Sequence, residues 1–491
     1  MPFTLRQLPS GAKLASHLTF DIFAQTIPAT TIDQVLIDTQ RVEHRHRRLT
    51  MRAMVWLLIA MNIWTQWAIP LVYRQITSGL RWLWPGPPPA IPRSSAFTYR
   101  RYQLGVRPLY TLFRRICHPQ ATPTTPGAFL FGLRLVALDG TLENVPDTPA
   151  NDQYFGRPSG RGGPGGFPQA KAIYLVECGT HAIIDAGIWP YATSERVGGH
   201  RLLRSVDSSM LLMWDRGFHS YAMVAAAQRR GAHVLGRIAK HVRPAVQTVL
   251  ADGSVLATLT SGANHGRPTG DAPLQVRMIT YQLSMPALGD PTLVHRLVTT
   301  LLDPERYPAR TLICAYHERW EIEVTIDEVD THQRASQQAF RSHKPVGVIQ
   351  EFYGVLLAHY AIRRIMHDAA VAAQLDPDRI SFVLVLQEIQ ATTRNFQQTI
   401  DDDHPQLYAR LLAECRSCLL PVRRFRQQPR VVKQKMTRFP TKRPAHANWP
   451  QPEGCFAQAI CRVTTDGEPI REPGGNPPLQ WTRRPPPSTS D

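Results

Sequence analysis

The sequence predicts an α/β core built on a mixed sheet, entered through a helical N-terminal region. Three observations carry that prediction. First, AKAIYLVE (170–177) and AIIDAGIW (182–189) are apolar runs flanking a Cys178-Gly179-Thr180 turn, the pattern of a hairpin. Second, strand-like and helix-like runs alternate after the hairpin: TSERVGGHRLLRSV (193–206), MLLMWDRGF (210–218), SYAMVAAAQRR (220–230) and AHVLGRI (232–238). Third, residues 15–118 read as mostly helical, rich in Arg and aromatics.

Within the N-terminal region, SSAFTYRRYQLGVRPLYTLFRR (94–115) reads as a helical pair with Gly105 and Pro108 at its turn. The run MVWLLIAMNIWTQWAIPLV (54–72) is long enough to span a bilayer. Its Asn62, Thr65, Gln66 and Pro70, with basic residues on both sides, favour a buried helix and no membrane partner. WPGPPPAIP (84–92) breaks the region internally, and HPQATPTTPG (118–127) reads as a linker.

The first strand of the core, GLRLVALDG (132–140), is expected to end at Asp139, and the buried strand MLLMW to end at Asp215. The C-terminal ends of such strands project into the crevice of an α/β sheet. Residues 239–310 interrupt the rhythm with β-branched runs and an Asp-Gly turn, and read as a β-rich insertion. A long apolar-striped helix follows at 347–366, and from about 441 the chain is rich in Pro.

Between insertion and long helix lies YHERWEIEVTIDEVDTHQ (316–333). At about 100° per residue, a single helix here puts Tyr316, Arg319, Glu323, Asp327 and Asp330 on one face. Ile322, Ile326 and Val329 fall together on another. Asp139, Asp215 and Glu323 are then three carboxylates from separate elements, costly to gather unless a cation joins them. An all-oxygen set suits a hard ion, Mg²⁺ or Mn²⁺. Trp320, beside Arg319, is placed to stack on an unpaired base.

Composition agrees with such a substrate. Lys and Arg total 56 against 38 Asp and Glu, a net charge of +18, which favours a polyanionic partner, nucleic acid first. Seven cysteines in 491 residues argue for a reducing compartment and against a disulfide framework. Cys415 and Cys418, with Cys455 and Cys461, are too irregularly spaced to favour a zinc site. GRPSGRGGPGGFPQAK (156–171) lacks the GK[ST] ending of a phosphate-binding loop and reads as a mobile basic loop.

These motifs carry a resemblance. The chain resembles the insertion-sequence-four family of DDE transposases, whose core is ribonuclease-H-like. The family signature is Tyr, two residues, Arg, three residues, Glu, six residues, Lys. Tyr316, Arg319 and Glu323 match it in type and spacing. ALDGT at the first Asp, VPDTPAN and FGRP after it, and WDRGF at the second are similar to the family's phrasing, and the likeness extends to RVVKQKMTRFP (430–440). The resemblance implies that Asp139, Asp215 and Glu323 are the catalytic, metal-binding triad for two ions. It implies that Tyr316 and Arg319 contact DNA phosphate near the scissile bond. In a relative, an aromatic residue near the position of His295 holds a flipped base, and His295 is the candidate for that role here. Where the family has Lys, this chain has Asp330, which would repel phosphate.

The implied activity is transposition. The protein would bind terminal inverted repeats, cleave at the element's ends and transfer the 3′-hydroxyl strand into target DNA, with a DNA hairpin intermediate. Double-stranded DNA is the implied partner, a homodimer on DNA the implied assembly, and the prokaryotic cytoplasm, at the nucleoid, the implied location. The expected domains are an N-terminal helical DNA-binding domain with linker (1–125), a catalytic core (126–345) with its insertion, a C-terminal helical region (346–440) suited to dimerisation, and a flexible tail (441–491). A stand-alone nuclease on the same core, and a non-catalytic DNA-binding protein from a decayed element, are the alternatives.

Overall fold

The structure, a computed structural model, describes residues 3–8, 14–43, 49–160, 163–261, 271–288, 290–334, 339–421, 432–433, 440–441, 444–446, 448–452 and 454–470. The basic run at 44–48, most of RVVKQKMTRFP, the middle of the glycine-rich loop and residues 471–491 lie outside them. In chain order the N-terminal helices are α1 (Ala29–Asp38), α2 (Met51–Ala60), α3 (Ile69–Gln75), α4 (Ser78–Trp82), α5 (Ser94–Leu104) and α6 (Arg107–Ile116). Then come β1 (Leu133–Asn144), α7 (Pro149–Phe155), β2 (Gln169–Glu177), β3 (Ala182–Pro190), α8 (Glu195–Leu202), β4 (Met210–Trp214), α9 (Tyr221–Arg229) and β5 (His233–Arg237). The insertion supplies β6 (Ala245–Val249), β7 (Val255–Leu259), β8 (Leu274–Leu283) and β9 (His295–Thr299). The chain ends through α10 (Ala309–His317), α11 (Trp320–Asp327), α12 (Pro345–Ala373), α13 (Phe382–Gln398), α14 (His404–Ser417) and β10 (Ile460–Arg462).

The N-terminal expectations are met in outline. Gly105, at φ 71°, ends α5 in a conformation that costs glycine little, and Pro108 opens α6. The long apolar run is two helices rather than one. Thr50 caps α2 by accepting from the Ala53 amide at 3.1 Å, α2 is almost wholly buried, and Pro70 opens α3 after an irregular turn. No helix among the described residues is long and apolar enough to cross a membrane.

The chain divides into two compact units. The first comprises residues 1–129, 136–205 and 320–420. Its axis is α12, buried along most of its length and packed against α2, α6, β3 and α14. At Gly354 a Cβ would stand 2.6 Å from the Leu58 carbonyl oxygen, so α2 and α12 approach backbone to backbone. Strands β1, β2 and β3 pair antiparallel, with Asp139 opposite Tyr174. Two ion pairs fix the helices: the buried pair of Arg101 of α5 with Glu351 of α12 at 3.0 Å, and the half-buried Arg114 of α6 with the buried Asp185 of β3 at 2.7 Å.

The second unit comprises 130–135, 206–319 and 421–491. Here β4 and β5 run parallel, joined through α9. β9 pairs antiparallel with β5, and β8, β7 and β6 continue the sheet in that order, all antiparallel. The sheet is therefore mixed, as the alternating pattern predicted. β10, from the Pro-rich end of the chain, pairs with β8, and Arg310 of α10 donates to the Ala457 carbonyl at 2.6 Å beside it.

Candidate active site

The second unit gathers a cluster around the end of β4. All five residues of that strand are buried, and Asp215 follows it directly, its carbonyl accepting from the Phe218 amide at 3.1 Å in the turn. A Cβ on Gly236 of β5 would lie 2.3 Å from Trp214 Nε1, so only glycine leaves room for the indole that precedes Asp215. Tyr316, buried at the end of α10, donates its hydroxyl to the Trp214 carbonyl at 3.3 Å. Burial pushes its phenol well above the ordinary range, with Arg319 opposing and the Asp215 carboxylate adding to the rise. The Arg319 guanidinium stands 5.8 Å from the Tyr316 ring centroid. Asp215, Tyr316 and Arg319 are thus neighbours.

His295 of β9 stacks on Tyr281 of β8, with ring centroids 5.1 Å apart and planes 24° from parallel. Burial, aided by Arg237, lowers the His295 pKa to about 4. At neutral pH the ring is therefore uncharged. Tyr281 and Arg237 were not singled out by the sequence. The cross-strand register that places them here depends on pairing between distant segments, which local periodicity does not reveal.

Asp139 and Glu323 belong to the first unit. Asp139 does not end its strand: β1 runs on to Asn144, because Gly140–Asn144 pair in register with Gln169–Ile173. Its Oδ1 accepts from the Gly140 amide at 2.8 Å. Glu323 is partly exposed on α11, and Trp320, at the start of that helix, is 50% exposed.

The single helix expected over 316–333 is broken twice. α10 stops at His317, Glu318 and Arg319 form a turn, and α11 gives way after Asp327 to a π-helical segment, Glu328–Gln333. A π segment bonds i to i+5 and advances less per residue, so a wheel drawn at a constant angle loses phase. Asp330 accordingly leaves the face it was assigned. It lies 3.6 Å from Arg334, whose guanidinium also pairs with the buried carboxylate of Glu143. Burial and the adjacent Glu143 push the Asp330 pKa up to about 8. Asp330 is thus a half-buried member of an ion network with Arg334 and Glu143 rather than an isolated anion.

Comparison with known proteins agrees with the residues. The family description "Insertion element 4 transposase N-terminal" matches residues 17–114, and "Transposase DDE domain" matches residues 130–361. The chain is 29% identical over 420 residues to the transposase InsG for insertion sequence element IS4 of Escherichia coli K12, covering 84% of this chain and 91% of that protein. Two family descriptions over different parts of the chain, and a relative over most of it, agree on a DDE transposase similar to those of the insertion-sequence-four family. The putative transposase InsZ of the same organism is 23% identical over 219 residues, 43% of this chain and 69% of that protein. The α/β class with a mixed sheet and flanking helices is that of the family's ribonuclease-H-like core. The transposase is an enzyme acting on DNA, and its DDE domain implies use of a divalent metal.

Proposed function

We propose that this transposase holds two Mg²⁺ or Mn²⁺ ions on Asp139, Asp215 and Glu323 and uses them to cut DNA at the ends of its element. The observation that carries the reading is the Tyr316–Arg319–Glu323 spacing, with Asp215, Tyr316 and Arg319 found together around the end of β4. The donor set fits, since three carboxylates offer only oxygen and Asp215 leaves a buried strand at its C-terminal end. Such ions, when bound, activate a water and stabilise the leaving oxygen of a phosphodiester.

The chain's own residues position the DNA. Arg319 forks two N–H donors onto a phosphate at the reacting bond. Tyr316, tied through its hydroxyl to the Trp214 carbonyl, holds the backbone immediately ahead of Asp215. Trp320 presents an exposed indole, and His295 a neutral ring, for a base drawn out of the duplex. Water attack on the phosphorus breaks its bond to the 3′ oxygen and leaves a 3′-hydroxyl. That hydroxyl then attacks the phosphorus of a second phosphodiester, across the duplex in a hairpin or in target DNA; the new P–O bond forms as the bond to that phosphodiester's own 3′ oxygen breaks, and the displaced strand leaves with a 3′-hydroxyl.

The residues up to 125 serve as the DNA-binding domain for terminal inverted repeats, 126–345 as the catalytic core, 346–440 as the helical region that joins two copies on DNA, and 441–491 as the tail. The protein works at the nucleoid in the cytoplasm of a prokaryote. Strand-transfer assays with a pre-cut repeat end and target DNA test the reading. Joined products are expected. Cleavage without joining would make the protein a stand-alone nuclease, and binding without nicking a decayed, non-catalytic one.

A further inference from the structure

We infer that the first unit contains a second divalent-cation site, formed by His181, Glu321 and Asp378, which takes a first-row ion such as Zn²⁺ or Mn²⁺. One ligand atom of each residue lies within 4.8 Å of the other two, close to the spread of about 3–4.5 Å that ligands adopt around one small ion. His181 and Glu321 are buried, and Asp378 keeps only 7% of its side chain exposed.

The histidine supplies the independent observation. His181 is 3% exposed, and its Nε2 makes no hydrogen bond although it stands 3.2 Å from Asp378 Oδ1. Its other nitrogen has two neighbours: Nδ1 lies 3.3 Å from Glu328 Oε1 and also meets Arg363 Nη2, and Arg363 itself donates to Glu328. In the tautomer that gives Nδ1–H to Glu328, the Nε2 lone pair is directed at Asp378. Metal-bound histidines are oriented in this way, with a carboxylate behind the ring. One imidazole with two carboxylates suits a borderline ion better than Mg²⁺, which prefers oxygen throughout.

This site is distinct from the proposed catalytic one. Glu321 and Glu323 are two residues apart on α11, about 200° around the helix, so they face opposite ways. Glu321 is buried and accepts from the Gly179 amide in the β2–β3 turn, whereas Glu323 is partly exposed. Gly179, at φ +83°, allows that turn, since a Cβ there would also strike the Pro126 carbonyl at 2.7 Å. Asp378 sits in the 3-10 turn between α12 and α13. A cation here would clamp the hairpin turn, the helix bearing Glu323 and the α12–α13 connection to one another.

The test uses the full chain with Asp139→Asn and Glu323→Gln, which removes proposed catalytic ligands and leaves the new site intact. After dialysis against a weak chelator, about one equivalent of Zn²⁺ or Mn²⁺ should remain by elemental analysis. Adding ZnCl₂ or MnCl₂ back to fully stripped protein should raise its melting temperature more than MgCl₂ does. Introducing His181→Gln, or separately the milder Asp378→Asn, should abolish both retention and shift. If the chain retains no ion and melts alike in all three salts, His181 is a protonated bridge between Glu328 and Asp378 and the inference is overturned. The catalytic reading would be untouched by that result, because its own failure appears in nicking and not in this background.

Discussion

Two clusters of the same chemical makeup have opposite characters. Around Arg334 stand the carboxylates of Glu143 and Asp330 and the buried phenol of Tyr174; around Arg319 stand Tyr316 and Asp215. In the first, the arginine pairs with one acid, lies near another, and its guanidinium covers the Phe340 ring at 4.0 Å. In the second, the arginine lies along a tyrosine whose hydroxyl braces the strand end ahead of the acid. What separates them is placement. Glu143 lies within a strand and is sealed by a π turn, while Asp215 leaves a strand at the edge where substrates bind an α/β sheet. Arginine, acid and phenol make scaffold or site according to where the backbone stops.

Exchanging effects between the clusters is the sharpest way to break this contrast. Arg334→Ala leaves the buried Glu143 carboxylate without its cation and should cost roughly 3–5 kcal/mol of stability, read by urea denaturation. Cleavage per folded molecule should hardly change. Arg319→Ala should do the converse: cleavage falls about a hundredfold while end binding falls much less, because a phosphate fork matters most at the reacting bond. Equal losses in binding and cleavage would make Arg319 a general DNA contact.

Smaller effects sharpen the comparison. His295→Ala should reduce hairpin formation by roughly tenfold, in line with base stacking of about 1–3 kcal/mol, and spare first-strand nicking. Unchanged hairpin yield would remove His295 from DNA handling and leave it a partner of Tyr281. Tyr316→Phe loses the bond to the Trp214 carbonyl, worth about 1 kcal/mol in thermal unfolding.

The Arg334 cluster also predicts a pH dependence. Asp330 has a folded pKa of about 8 against 3.8 ordinarily, so the folded state holds a proton that the unfolded state has released between those values. Its contribution to stability is therefore fully present below pH 3.8 and is lost as pH rises towards 8. Asp330→Asn should flatten that decline, and melting curves from pH 5 to pH 9 would check it. A slope unchanged in the variant would assign the dependence to another group.

Much of this was legible in the sequence because local signals agreed with the fold. The β2–β3 hairpin, β4 ending before Asp215, and the α5–α6 pair each carry their turn residues with them. The extent of β1 was misjudged because Asp139-Gly140 reads as a terminator, and only the partner β2 reveals that pairing continues. The helix over 316–333 was misjudged because amphipathic spacing is blind to a two-residue turn and a π segment. Asp330 was misplaced for that reason. The stacking of Tyr281 on His295 and the setting of His181 rest on residues far apart in sequence, and no local pattern reports them.

Mg²⁺-dependent nicking of the element's terminal repeat, measured beside binding of the same DNA, tests the proposed triad most directly. Asp139→Asn, Asp215→Asn and Glu323→Gln should each lower nicking on the order of 10³-fold or more, because each removes a charged ligand. Repeat binding should persist in all three, since phosphate contacts elsewhere dominate affinity. Near-wild-type nicking by any one of them in Mg²⁺ would contradict the account and send the search for the third acid elsewhere.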